Sequence, residues 1–280
     1  MAAADFRRLV AKVEDLPTLP RTVLRITELI NDPRTAAKDL ARIITDDQVL
    51  TARLLKLVNS SFYGFSQKVS TVTGAIVLIG FDAIRNLLLT TSVFDLFPAR
   101  SARSRRDQEL LWDHSLACAV GAKVIGGVLR HEKLEELFVA GLLHDIGKIV
   151  EMTLLPAEFE RIAAAVRGRG LLVSAAEAEV LGCTHAEIGQ LLAERWNLPV
   201  KLAAVIARHH SPLEAGAFAT EASIVHLADI LARALSIGSG GDEKVPPLDH
   251  AAWELLRLRS DSLDEILGAM LDEFEDISSF

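Results

Sequence analysis

The sequence has few cysteines, few aromatic side chains and no excess of positive charge. Its two cysteines, Cys118 and Cys183, lack the paired spacing of a disulfide or zinc motif and predict reduced, buried thiols in a cytoplasmic protein. Aromatic residues make up 5% of the chain and the net charge is −8. Stacking platforms for single-stranded nucleic acid and general attraction to polyanions are therefore not expected.

Segments typical of membrane insertion are also missing. The first 17 residues lack the apolar core of a signal peptide. The longest apolar candidate, 73–97, is interrupted by Asp82 and Arg85, so no run of membrane-spanning length is expected. Alternating strand patterns are almost absent, whereas apolar residues recur at helical spacing along the chain. These observations predict an all-α protein that does not associate with a membrane.

Breaks in the helical pattern predict three regions. Residues 1–100 would form an N-terminal helical lobe, which begins with a helix around Phe6 to Val13, and 101–236 a second helical lobe. Residues 237–280 would form a linker and C-terminal helices. We interpret the basic stretch 100–107 as a solvated connection and the glycine-rich segment 238–242 as a flexible linker.

One short motif, Gly-Leu-Leu-His-Asp-Ile-Gly-Lys at 141–148, places an adjacent His144 and Asp145 inside an apolar run. A buried carboxylate needs a partner or a metal. One interpretation is a helix-end ion pair between Asp145 and Lys148, and the other is a pair of metal ligands. A phosphate-binding P-loop is excluded, because the spacing is one residue too long, Ile149 replaces Ser or Thr, and no strand precedes the motif.

Further candidate ligands are separated from this motif by tens of residues. Each of them alone has an ordinary explanation as a helix cap, a helix-terminal group or a core polar residue. Together they predict a metal centre built between helices, for which imidazole and carboxylate groups suit Zn, Fe, Mn, Ni or Co. The additional candidates are His114, His185, His209, His210 and Asp229. We assign His226 to packing or to support of a ligand, and His131 and His250 to the surface.

The order of an isolated His114, the pair His144-Asp145 and a distant Asp229 resembles the HD superfamily of metal-dependent phosphohydrolases. Over roughly residues 10–235, the chain is similar to the HDOD domain, the HD-related output domain of bacterial signalling proteins. The resemblance rests on the Leu-Pro-Thr-Leu-Pro segment at 16–20, the Asn-Ser-Ser turn at 59–61 and the segment 73–80. It implies an HD-like helical bundle with an N-terminal helical lobe.

The resemblance also implies roles for the candidate residues. His185, His209 and His210 resemble the second-metal ligands of the HD-GYP branch, and Lys148 matches a lysine that contacts substrate phosphate there. One metal would be held by His114, His144, Asp145 and Asp229, and Asp145 would bridge to the second. The chain departs from that branch because it has no Gly-Tyr-Pro segment after His210 and has Leu110 where some sites add a carboxylate.

Three hypotheses about function follow. The favoured one is a signalling module that keeps a centre of one or two divalent metal ions and acts through protein partners. The alternative is an active phosphohydrolase, with Asp145, Lys148 and Asp229 in catalysis, acting on a nucleotide or another phosphorylated small molecule. The third is a ligand set retained without metal, which its completeness disfavours.

Overall fold

The computed structural model describes residues 21–30, 32, 34–59, 63–65, 67–99 and 101–278. Every regular element in these ranges is helical, and no strand occurs in them. The predicted all-α fold is thereby confirmed. The predicted helix around Phe6 to Val13, the segment 16–20 and the serines of the 59–61 turn lie outside the described residues.

Fourteen α-helices and two short 3₁₀ helices are present in the described ranges. The α-helices are α1 Arg21–Ile30, α2 Ala37–Thr45, α3 Gln48–Val58, α4 Val72–Asp95, α5 Ala102–Val128, α6 Leu134–Leu143, α7 Ile146–Leu154, α8 Pro156–Arg169, α9 Val173–Val180, α10 His185–Arg195, α11 Val200–Arg208, α12 Ala219–Ala234, α13 His250–Leu256 and α14 Leu263–Ser278. The 3₁₀ helices are Pro212–Phe218 and Ser260–Ser262.

Internal contacts divide the chain into two units. The larger unit contains residues 97–270, and the smaller contains 18–96 together with the chain end from Leu271. Residues 237–270 belong to the larger unit, whereas we expected 237–280 to form a separate linker and C-terminal helices. The predicted domain boundaries stay a prediction.

In the smaller unit, α4 packs against α1, α2 and α3. The apolar faces of these helices are fully buried at Ile26, Ile44 and Ile84. Helix α4 is broken at Gly80, whose φ of 85° lies in the region that glycine adopts without steric cost. The apolar stretch around Gly80 is compatible with one or two helices, and the structure has two helical segments joined at this residue.

In the larger unit, α5 is the central helix and packs against α6 and α12. One continuous stretch of its side chains, from His114 to Ala122, is buried. Helix α10 packs against α7 and α11, and α13 packs against α12. Six of these helices carry or adjoin the candidate ligands, so the candidate metal centre lies in the core of the larger unit.

Two local predictions are corrected. The basic stretch 100–107 is not a connection, because α5 begins at Ala102, with the Ser101 hydroxyl accepting from the Ser104 amide at 3.0 Å. The side chains of 101–107 are largely exposed, so the start of the helix has no apolar periodicity that would predict it. Thr35 is of a residue type that predicts the N-cap of α2, but the N-cap is Ala36, whose amide donates to the Asp39 carboxylate at 3.0 Å.

One stretch in the described chain, Pro212–Ala234, is long and apolar enough by composition to cross a membrane. The expectation that no run of this length occurs is thereby corrected. Most of its side chains are buried within the larger unit, and it carries the ionisable residues His226 and Asp229 in that buried part. We therefore assign it to the protein core.

Close packing of α7 on α10 depends on one glycine. A Cβ on Gly147 would overlap with the backbone carbonyl of His185, which cannot move aside like a side chain. We expect Gly147→Ala to lower the free energy of unfolding by about 3 kcal/mol or more, as overpacking does. Chemical denaturation would measure it. The control is Gly168→Ala in α8, where no described atom lies within 4 Å; it should stabilise by about 0.5–1 kcal/mol. Equal effects of the two variants would contradict the packing argument.

Candidate metal centre

The structure brings all seven candidate ligands into one cluster. Five parts of the helical core supply them, and all but His210 are at least 98% buried. His114 lies within α5, His144 and Asp145 form the turn between α6 and α7, His185 opens α10, His209 and His210 follow α11, and Asp229 lies within α12. Their assignment as metal ligands stays a prediction.

Three histidines are oriented in the same way. Nδ1 of His144 donates to the Gly141 carbonyl at 2.6 Å, and Nδ1 of His209 donates to the Ile206 carbonyl at 2.8 Å. Nδ1 of His185 donates to the Glu177 carboxylate at 2.7 Å. A hydrogen bond from one ring nitrogen fixes the tautomer, so the lone pair of Nε2 faces the cluster in all three.

Asp145 lies at the centre of the cluster, and its two oxygens face different histidines. Oδ1 lies 3.1 Å from Nε2 of His185 and 3.8 Å from Nε2 of His209. Oδ2 lies 3.5 Å from Nε2 of His114 and 3.4 Å from Nε2 of His144. A carboxylate placed in this way can contribute one oxygen to each of two neighbouring cations.

The donor atoms form three overlapping groups, each with its atoms within 4.8 Å of one another. They are His114–His144–Asp229, His144–Asp145–His209 and His185–His209–His210. In the last group, Nε2 of His185 lies 3.3 Å from Nε2 of His209 and 3.0 Å from Nε2 of His210. Facing lone pairs at these distances require a proton or a cation between them.

Several donor atoms in the cluster have no hydrogen-bond partner within the described part of the chain. They are both ring nitrogens of His114, Nε2 of His144, Oδ1 of Asp145 and Oδ1 of Asp229. Leaving a buried polar atom unsatisfied costs roughly 1–3 kcal/mol. A divalent transition metal would satisfy these imidazole and carboxylate donors, so the residues present fit such an ion.

The two carboxylates of the cluster, Asp145 and Asp229, are in the ionised form that favours binding of a cation. Burial alone would raise the pKa of Asp145, but His144, Lys148 and His185 hold it well below its usual range. Burial likewise opposes ionisation of Asp229, yet the neighbouring His114, whose Nε2 lies 3.2 Å from Oδ1 of Asp229, keeps its pKa low. Both carboxylates are therefore ionised at neutral pH, as metal ligands must be.

The histidines divide into two classes. Burial, reinforced by neighbouring histidines, lowers the pKa of His209 well below its ordinary value and that of His210 to about 3. Burial also disfavours the charged forms of His114 and His185, but carboxylates beside them raise their pKa. His209 and His210 are thus favoured in the neutral form that a metal ligand requires, whereas protonation is favoured on His114 and His185.

Lys148 is buried, and its Nζ donates to Oδ2 of Asp145 at 2.6 Å. The ion pair that one interpretation of the motif predicted is therefore present. It does not exclude the other interpretation, because Oδ1 of Asp145 faces the histidines. The predicted contact of Lys148 with a substrate phosphate stays a prediction.

Two buried carboxyl groups near the cluster were not predicted from the sequence. Glu177 in α9 accepts from both the backbone amide and Nδ1 of His185. Burial and the proximity of Glu177 raise the pKa of Glu151 well above its ordinary value, which favours the protonated form of Glu151. The signal available was an acidic residue within an apolar helical stretch, which each of them is.

The remaining histidines lie outside the cluster. Nδ1 of His226 donates to the His209 carbonyl at 2.8 Å, and its Nε2 accepts from the Asp249 amide at 3.1 Å. His226 thus supports the backbone that carries a candidate ligand. His131 is half-buried near Glu221, and His250 is exposed at the start of α13.

A buried His–Asp cluster at the centre of an all-helical bundle defines a domain of the HD type. The HDOD domain model matches residues 16–212, which is most of the chain. The protein therefore belongs to the HDOD domain family, within the HD superfamily that the sequence analysis indicated. The matched region ends before Asp229, so this candidate ligand lies beyond it.

Solved structures share this fold. An HDOD domain protein of unknown function from Geobacter sulfurreducens is 29% identical, with a TM-score of 0.74, and the match covers 96% of this chain and 97% of that one. A protein from Shewanella amazonensis, provisionally named a phosphohydrolase, is 25% identical, with a TM-score of 0.74 and 97% of both chains covered. An uncharacterised protein of Treponema pallidum is 27% identical over 202 residues, which are 71% of this chain but 38% of that protein.

Proposed function

We propose that this protein is a bacterial signalling module of the HDOD family that retains a metal centre of one or two divalent transition-metal ions. The observation that carries the proposal is the common anchoring of His144, His185 and His209. Each ring donates Nδ1–H to an oxygen and directs Nε2 toward Asp145. An arrangement serving only the Asp145–Lys148 ion pair would not require three such rings.

The proposed ligand assignment follows the two sides of Asp145. On the Oδ2 side, the metal would be held by His114, His144 and Asp229 with Asp145. On the Oδ1 side, a second metal would use His185, His209 and His210, with Asp145 as the bridge. In a signalling module, the metal would hold together the helices that carry these residues, and a protein partner would bind the conformation that the metal stabilises.

Phosphohydrolase activity is the second candidate. It is favoured by the unpartnered Oδ1 of Asp229 and by the buried Lys148 next to the cluster. In that case Asp229 would accept a proton from the attacking water, and Lys148 would hold a phosphoryl oxygen. The bound metal would lower the pKa of water and offset phosphoryl charge. The ligand would be a nucleotide or another phosphorylated small molecule.

Metal analysis of the purified protein tests the proposal. We expect at least one equivalent of Fe, Mn, Zn, Ni or Co in the wild type and in His250→Ala, which changes an exposed histidine outside the cluster. His144→Ala should lose most of it, since it removes a donor from two of the three groups. Absence of stoichiometric metal from wild-type protein after reconstitution would refute the proposal. A screen with phosphodiesters, with Asp145→Ala as the inactive control, would then separate the hydrolase from the signalling module.

A further inference from the structure

The segment 238–242, which we term the strap, packs closely on the helix that carries His114. The Ser239 amide donates to the Leu110 carbonyl at 2.9 Å. Gly238 has a φ of 62°, and a Cβ there would overlap with the Leu110 carbonyl and the His114 amide. The glycines thus permit close backbone contact, and the segment is not the flexible linker that its composition predicted.

The strap also lies next to the metal-facing edge of His114. Gly240 is buried, and a Cβ there would lie 3.4 Å from Nε2 of His114 and 2.9 Å from Nη1 of Arg233. The guanidinium of Arg233 and Nε2 of His114 therefore both lie beside the same glycine. Arg233 follows Asp229 by four residues in α12, which places both on one helical face.

Arg233 is fixed by the strap and the residues after it. Its Nε donates to the Lys244 carbonyl at 2.8 Å, and its Nη2 pairs with Asp242. The Asp242 side chain is 1% exposed and also accepts from the amides of Val173, at 2.7 Å, and Lys244, at 2.8 Å. A carboxylate is thus held beside the cluster by a guanidinium and two backbone amides.

We infer that Arg233 binds the anionic group of a ligand at the metal centre, and that Asp242 occupies Arg233 while the strap is closed. A guanidinium fork binds phosphate and carboxylate oxygens with the same geometry, so Asp242 stands where a phosphoryl group would be held. Nε2 of His114 and Oδ1 of Asp229, which lie 3.2 Å apart, mark the adjacent position for a cation. The inference rests on the proposed function and adds its ligand class and its regulation.

Asp242→Asn tests this inference, because it keeps the shape of the side chain and removes the competing charge. Binding of inorganic phosphate would be measured by calorimetry, with and without Mn²⁺. We expect about tenfold tighter binding to D242N than to wild type. The double variant R233Q/D242N should lose the gain. Asp261→Asn is the matched control, since it removes an exposed Arg–Asp pair, with Arg259, elsewhere in the larger unit; its phosphate affinity should equal that of wild type.

Unchanged phosphate affinity in D242N, or a gain that survives in R233Q/D242N, would overturn the inference. Absence of bound metal from every variant would instead overturn the proposed function, and the titrations without Mn²⁺ would still decide the role of Arg233. If D242N melts at too low a temperature for titration, hydrogen exchange in the wild type tests the same inference. Phosphate should accelerate hydrogen exchange at the amides of Ser239 and Val173, which the closed strap protects, and an unchanged exchange rate would refute the inference.

Discussion

Replacing Asp145 by asparagine is expected to remove bound metal from the protein and to destabilise the metal-free fold. The carboxylate faces His185 with Oδ1 and His114 with Oδ2, so its loss removes the donor shared by both sides of the cluster. It also leaves the buried ammonium of Lys148 without its partner, which costs roughly 3–5 kcal/mol. Elemental analysis would measure the metal, and denaturation in the presence of a chelator would measure the stability.

The matched control separates the two interpretations of the His-Asp motif. Lys148→Met removes the ion pair and leaves the Asp145 oxygens in place, so the protein should keep its metal. The double variant D145N/K148M should recover part of the stability, because no buried charge remains unpaired. It should recover no metal. Stoichiometric metal in D145N would show that Asp145 serves the ion pair alone.

The fold was predictable where apolar periodicity and polar breaks coincide. The apolar run 134–143 ends at the polar pair His144-Asp145, and helix α6 ends at Leu143, directly before this pair. Three consecutive residues, Thr45, Asp46 and Asp47, are of types that can cap the next helix, and Asp47 caps α3 by accepting from the Leu50 amide at 3.0 Å. The first turns of α5 were missed because their side chains are exposed, and an exposed turn leaves no apolar pattern.

For the candidate site, the sequence indicated which residues supply the donors but not how these donors are arranged. Ionisable residues in apolar surroundings indicated the donors, since such residues are rarely buried without a partner. The division of the Asp145 oxygens between two sets of histidines depends on helix packing and has no sequence signal. The conformation of the strap could not be predicted either, because a glycine-rich composition is compatible with both a flexible linker and a close backbone contact. The difference lies in the atoms that surround Gly238 and Gly240.

Glu177 connects the cluster to a second buried carboxyl group. Burial would raise its pKa, but its contacts with His185 lower it, so Glu177 stays ionised while Glu151 keeps a proton. When Nδ1 donates its proton to an ionised acceptor, the lone pair of Nε2 in the same ring becomes more basic and binds a metal more strongly. Glu177 is therefore expected to determine how strongly His185 binds a cation, although it does not itself reach the other donors.

Replacing Glu177 by glutamine is accordingly expected to weaken metal binding by about 10–100-fold, the range found when a residue that supports a metal ligand is changed. The neutral amide still fits the site, but it lacks the charge that favours the His185 Nδ1–H tautomer and cannot accept with both terminal atoms. Competition with a chromogenic chelator would measure the dissociation constant. Glu179→Gln is the matched control, because Glu179 lies two residues away in α9 and is exposed, paired with Arg169. If E177Q and E179Q bound metal equally tightly, the carboxylate on His185 would have no part in orienting it, and the anchoring of that ring would be a packing contact only.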